Sequence, residues 1–259
     1  MQIKAIHAYH VTLPFKVLYA NAQSKGRFSE TIVVQITTDH RAINGYGEGL
    51  PVKAVTGETP QSVMARLDVL CRDPAFPWYI EDIEQIWNFI DRLPQTKFDN
   101  TAICALEMAL LDAWGKAENQ PLVDLLPQAF RTDRIHYGAP ISLGDKPSKR
   151  KACKIIHGFG IKHVRAKMEA RLHPNQETLE AVADVFQGDC YLGIDPNGAW
   201  NRNTAFKHLP LIQQYQVRVV EEPFSADEDG FGDFAHRLRA SGVCLMACES
   251  CLLYTSPSP

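Results

Sequence analysis

Gly193-Ile194-Asp195-Pro196-Asn197 closes an apolar run on an acid, and the same event recurs through the second half of the chain. Val219-Val220-Glu221-Glu222-Pro223 places an acid 26 residues further on, and Ala247-Cys248-Glu249-Ser250 places another after 28 more. His163-Val164-Arg165-Ala166-Lys167-Met168 sets a lysine 28 residues before Asp195. Each interval holds one strand and one helix. A repeating βα array therefore gathers Lys167, Asp195, Glu221 and Glu249 on one face of a parallel barrel, the face where such barrels keep their chemistry.

Working outward, strands alternate with helices from Ile135 onward: strands at 135–142, 163–168, 190–195, 217–222 and 243–247, and helices at 148–157, 176–186, 204–215 and 227–240. That alternation predicts right-handed crossovers and a parallel sheet of five strands. The first half reads differently. Alternation at 3–8 and the β-branched run at 31–38 predict antiparallel strands, joined by a polar loop over 15–29. Gly45-Tyr46-Gly47-Glu48-Gly49 resembles a phosphate loop, but no amphipathic helix follows at once, so a turn at a strand end is favoured. Thr59-Pro60 opens a helix, and Ile83, Ile86, Trp87 and Ile90 carry a second. Asp99-Asn100-Thr101 offers caps for a third, whose stripe of Ile103, Leu106, Leu110 and Trp114 is core; Glu107 and Asp112 read as solvated or cap-region charges. The expected architecture is α/β: an α+β domain over residues 1–130, then an incomplete (β/α) barrel over 131–250.

Composition narrows the function classes. The chain has 259 residues, is 45% hydrophobic and carries a net charge of −3, which gives no field for nucleic acid or an anionic membrane. No run of about 18 apolar residues suggests a membrane span. The amino terminus has no apolar signal region. Seven cysteines, an odd number, do not read as a disulfide framework. A cytoplasmic setting is expected.

Asp195 and Glu221, at consecutive strand tips and without histidine or thiolate companions, are hard oxygen donors suited to Mg²⁺ or Mn²⁺. The plainer reading makes each a helix cap or ion-pair partner; two at βα spacing beside a strand-end lysine favour the metal, with Asn197 orienting a ligand. Lys167 is the candidate base, since lysine loses hydration at a buried strand end. Arg165, two residues away, shares its face. Both cations also read as ion-pair partners of the carboxylates. Cys244, Cys248 and Cys251 lack metal-site spacing and read as small buried hydrophobes.

These residues resemble the enolase superfamily in its muconate-lactonizing branch, which contains muconate cycloisomerases, o-succinylbenzoate synthases, N-succinylamino acid racemases and dipeptide epimerases. The resemblance also rests on Gly45–Gly49, Val55-Thr56-Gly57-Glu58-Thr59-Pro60, the stretch from Ala105 to Lys116 and Gln120-Pro121-Leu122. The motif at 55–60 leans toward the dipeptide epimerases. The resemblance implies a capping domain over a modified (β/α)-barrel, loops near 15–30 and 45–60 that contact substrate, and a homo-oligomer. It implies a Lys-x-Lys strand end, with Lys167 as the proton-abstracting lysine and Arg165 keeping only the charge of the first. It implies Asp195 and Glu221 as metal ligands. The reaction implied is abstraction of the proton α to a small-molecule carboxylate, giving an enediolate stabilised by Mg²⁺.

Two departures stand out. Cys248 stands where the resemblance implies an aspartate ligand, and a thiol is a poor Mg²⁺ ligand; Glu249 is the candidate replacement. The further acid/base lysine and three closing strands are not in this sequence, so a truncated chain is expected, with 251–259 as a non-native tail. Three readings result: a Mg²⁺-dependent epimerase, racemase or cycloisomerase; a truncated or degenerate relative that binds a small acid without catalysis; and a nucleotide-binding protein built on Gly45–Gly49.

Overall fold

The structure, a computed structural model, describes residues 1–259 apart from 21–24, 41, 54, 95, 97, 127–131, 133, 249 and 251–259. The chain divides into two compact units, one chiefly of residues 1–16 and 27–131 and the other chiefly of residues 132–251.

In the first unit, β1 (Ile3–Ala20), β2 (Lys25–Thr38) and β3 (Asn44–Gly49) form one sheet in the order β1-β2-β3. The β2–β3 pair is antiparallel, from Ile32↔Gly49 to Thr37↔Asn44. Period-two alternation turns Ile32, Val34 and Ile36 inward, each fully buried. The sheet carries α1 (Pro60–Cys71), α2 (Glu84–Asp91), α3 (Asn100–Ala117) and the short α4 (Leu122–Leu125). Thr59 caps α1 through a capping box, with Ser62 N bonded to Thr59 Oγ1 at 3.1 Å and Thr59 N to Ser62 Oγ at 2.9 Å.

Four sequence expectations change here. The polar stretch 15–29 is strand at 15–20 and 25–29, not loop. Phe15, Lys16, Arg27 and Phe28 are exposed there, and a ladder pairs backbone whatever the side chains are. Gly45–Gly49 is neither phosphate loop nor turn but strand β3 itself. Its three glycines face α3, and a Cβ at Gly47 would collide with the Ala105 carbonyl, one at Gly45 with the Ala109 carbonyl and one at Gly49 with Thr101 O at 2.6 Å. Two strand residues advance about 6.8 Å and four helix residues about 6 Å, so Gly49, Gly47 and Gly45 keep step with Thr101, Ala105 and Ala109. Finally, Asp99 makes no side-chain cap on α3; its carboxylate is taken by Thr96 Oγ1 at 2.7 Å and by Arg66. The buried Glu58 caps α3 instead, accepting from Thr101 N at 3.1 Å and from Thr101 Oγ1. Asp112 is also not merely solvated: its Oδ2 accepts from Tyr46 N at 2.8 Å and from Lys116 Nζ at 2.6 Å.

The second unit alternates β4 (Gly138–Ile141), α5 (Lys146–Gly158), β5 (His163–Lys167), α6 (Leu172–Phe186), β6 (Tyr191–Asp195), α7 (Arg202–Gln214), β7 (Val219–Glu221), α8 (Phe231–Ala240) and β8 (Cys244–Met246). The five strands lie in chain order and every pair is parallel. The first strand is shorter than expected, with Ile135 and Tyr137 outside it and exposed. Helix α8 starts at Phe231 rather than Asp227, because Gly230 takes φ +87° at its N-cap. Cys244 and Cys248 are exposed rather than buried, since β8 is the edge strand; Cys251 lies outside the described residues. Among the described residues, no helix is long and apolar enough to cross a membrane.

The glycine seam is testable. Gly47→Ala should destabilise the chain by at least about 2 kcal/mol in urea denaturation through overpacking. Gly158→Ala, where a Cβ meets nothing within 4 Å, should leave stability unchanged or slightly raised. Equal midpoints for the two variants would refute the close approach.

Candidate active site

Parallel register builds the site. Lys167 ends β5 directly beside Asp195, which ends β6, and the Ile194↔Val220 pairing sets Glu221, which ends β7, next in line. All three side chains are buried: Lys167 is 8% exposed, Asp195 0% and Glu221 2%. Buried charges need partners. Lys167 Nζ donates to Asp195 Oδ2 at 2.5 Å and to Asn197 Oδ1 at 3.0 Å. Arg165 Nη1 donates to both oxygens of Glu221, at 2.9 and 2.7 Å, and Arg165 Nε lies 4.0 Å from Asp195 Oδ2. Two cations thus neutralise two anions across three adjacent strand tips. Burial opposes the guanidinium charge, but the Glu221 hydrogen bonds and charge outweigh it and raise the Arg165 pKa above the ordinary arginine value.

Asn197 follows Asp195, the last residue of β6, by two residues. It holds φ +51°, and its backbone N–H donates to Asp195 Oδ1 at 2.8 Å, which fixes that carboxylate. The sequence reading missed Glu222, the second acid of Glu-Glu-Pro. This residue sits at φ +38° and joins three strand ends. Its backbone N bonds to Met246 O at 3.0 Å, its carbonyl accepts from Gly198 N at 2.6 Å, and its Oε1 accepts from Cys248 N at 2.7 Å and Ser250 N at 2.9 Å. Two acids in a row at a strand end were the available signal, because neighbouring strand residues point to opposite sides. Glu249, the candidate third ligand, lies outside the described residues. Below the tips, the inner face of the sheet forms a cleft of about 260 Å³ lined by Ala139, Val164, Arg165, Gly193, Val219 and Glu221.

The donor set fits Mg²⁺ in part. Asp195 and Glu221 are hard, buried and adjacent, and one or two carboxylates, with water and substrate oxygens, are what Mg²⁺ ordinarily takes from a protein. Among the described residues, no three acidic, histidine or cysteine side chains form a ready cluster. The exposed Cys248 thiol is not a Mg²⁺ donor.

Residues 6–127 match the family model of the mandelate racemase / muconate lactonizing enzyme N-terminal domain, and residues 148–254 match the enolase C-terminal domain-like model. The chain is 25% identical to a hydrophobic dipeptide epimerase of Enterococcus faecalis, across 97% of this chain and 69% of that protein. It is 25% identical to an N-succinyl-L-Arg/Lys racemase of Bacillus cereus, across 88% of this chain and 61% of the relative. Among solved structures, the dipeptide epimerase of Enterococcus faecalis V583, complexed with Mg and the dipeptide L-Leu-L-Tyr, superposes with a TM-score of 0.79 at 22% identity, covering 97% of this chain and 69% of that one.

The ion pairs make a stability prediction for the metal-free chain. Lys167→Met strands the buried Asp195 carboxylate and should cost about 3 kcal/mol in urea denaturation without divalent cations. The double variant Lys167→Met/Asp195→Asn should recover most of that loss, because no charge is then left unpaired. Additive losses would show that the pair is not coupled.

Proposed function

Since the chain belongs to the enolase superfamily, in its mandelate racemase and muconate lactonizing branch, we propose that it serves to abstract a proton α to a carboxylate, as an epimerase or racemase of dipeptides or related N-acylated amino acids, with cycloisomerisation as the neighbouring chemistry. The observation that carries this reading is the buried Lys167 amine, 2.5 Å from a carboxylate at the next strand tip. A lysine so placed has an acid neighbour to hold it.

Asp195 and Glu221 would hold Mg²⁺, with Asn197 N–H fixing the Asp195 carboxylate. When bound, the dication would offset the second negative charge that the enediolate places on the substrate carboxylate. Lys167, once released from Asp195 and having given an ammonium proton to solvent, would take the α-proton on Nζ. Arg165, whose side chain is 46% exposed, stays charged and turns from Glu221 toward the substrate carboxylate. Strand ends beside Lys167 exclude water from its buried side.

A second reading has its own observation. Cys248 presents a thiol where the resemblance implies an aspartate, which favours a relative that binds a small acid without turning it over. Calorimetry with MgCl₂ separates the two, since the non-catalytic reading gives no saturable heat.

The decisive experiment is isotope exchange. With Mg²⁺ and L,L-dipeptides in D₂O, the protein encoded by the whole gene should wash deuterium into the α-carbon of an accepted substrate. Lys167→Ala should slow exchange by at least about 100-fold, the contribution of a positioned base. Exchange at the unmodified rate in that variant would end the assignment.

A further inference from the structure

Behind the strand tips lies a buried polar cluster with no role in the chemistry above. Asn175 of α6 is 1% exposed and holds the Glu169 peptide at both ends: Asn175 Oδ1 accepts from Glu169 N at 2.9 Å, and Asn175 Nδ2 donates to Glu169 O at 2.7 Å. The second Nδ2 proton faces His208 Nε2 at 2.9 Å. His208 of α7 is 2% exposed, and its Nδ1 lies 2.7 Å from Thr204 O. Trp200 stacks on the imidazole with ring centroids 4.1 Å apart, sends its Nε1 to Glu169 O at 2.8 Å and bonds its backbone N to Pro223 O at 3.1 Å. Three consecutive strand-to-helix loops meet in this cluster.

Proton placement follows from the donors. The Glu169 N–H fixes Asn175 Oδ1 as the acceptor, so the amide nitrogen must be what meets His208. Nε2 is therefore an acceptor, and Nδ1 carries the proton to the Thr204 carbonyl. The imidazole is neutral and in one tautomer. A proton added at Nε2 would point at the Asn175 NH₂. Only a flip of Asn175 could receive it, and that flip removes the acceptor from Glu169 N–H.

We propose that Asn175, His208 and Trp200 are positioning residues that hold the Glu169 peptide, and with it the Lys167 end of β5, in an arrangement that requires a neutral His208. Glu169 follows Lys167 by two residues, and Met168 N between them bonds to Asp195 O at 2.9 Å. The functional meaning of the cluster rests on Lys167 being the base; its geometry does not. Burial, opposed by the Thr204 carbonyl, lowers the His208 pKa below its ordinary value. Glu169 pairs with Arg171 at 2.8 Å, and Lys149 of α5 bonds to Pro174 O at 2.9 Å. His173 on α6 is exposed and Glu177 half-buried, while Arg202 and Lys207 on α7 are exposed. The unfolded chain therefore takes up this proton first, and the cluster's contribution falls as pH drops below about 6.5 toward the folded-state value.

The test is amide hydrogen exchange by NMR between pH 7.5 and 4.5, expressed as protection factors, alongside the His208 ring titration. The Glu169 amide should lose protection by about tenfold, the scale of one buried hydrogen bond. Its midpoint should match that of His208, while amides within β5 keep their protection. The Lys167 side-chain Cε shift should move with the same midpoint. His208→Gln, which keeps an acceptor for Asn175 and cannot titrate, should abolish the pH dependence. Asn175→Asp, which gives the imidazolium an acceptor, should raise the His208 midpoint by about one pH unit or more. Flat Glu169 protection across the His208 titration, loss shared with the whole of β5, or an unchanged acid transition in His208→Gln would each overturn the proposal. None of these readings involves Mg²⁺ or turnover, so the cluster and the proton-abstraction assignment fail separately.

Discussion

Charge neutrality at the tips of β5, β6 and β7 is the condition on which the second unit depends. Asp195 and Glu221 have almost no contact with water, and an isolated carboxylate in that position is far too costly to keep ionised. Lys167 and Arg165 supply the compensation from one strand, two residues apart and therefore on one face. Parallel register makes this possible without any loop adjusting. Lys167 and Asp195 close their strands level with one another, and their side chains fall within hydrogen-bond reach.

That neutral quartet also states what ligand binding must do. Under the proposed function, a dication held by Asp195 and Glu221 would add two positive charges to a balanced site, so the lysine and arginine would acquire other partners. A substrate carboxylate is the natural partner for a displaced guanidinium. On that proposal, metal, substrate and the freeing of the amine would be linked in one electrostatic exchange. Glu222 and Asn197, both held at positive φ beside Glu221 and Asp195, tie these strand ends together through their hydrogen bonds.

The βα array was legible because its signals are local: each apolar run, each helix period and each acid at a strand end can be read within about ten residues. Lys167, Asp195 and Glu221 come together as their spacing indicated. What escaped the reading depends on parts distant in sequence. Glu58 caps a helix 43 residues away, and no rule of local capping finds it. Gly45, Gly47 and Gly49 looked like a turn because the reason for them lies on α3, 52 to 64 residues further on. Asn175 and His208 sit at ordinary helical positions, and only the Glu169 peptide between them reveals a network. Cys244 read as buried because its run is apolar, yet an edge strand has no neighbour to cover it.

The contact between β3 and α3 has an evolutionary corollary. Glycine is the smallest residue, so every amino-acid replacement at positions 45, 47 and 49 adds bulk toward a rigid helix backbone rather than toward a side chain that could move aside. No graded series of tolerated substitutions leads away from these positions. Drift along this seam requires a change in how the helix sits, and that involves the whole α3 segment at once. Strand and helix are therefore expected to be inherited as a block, and a recombination crossover between residues 49 and 101 would yield working chimeras only when both parents share the same interaxial distance.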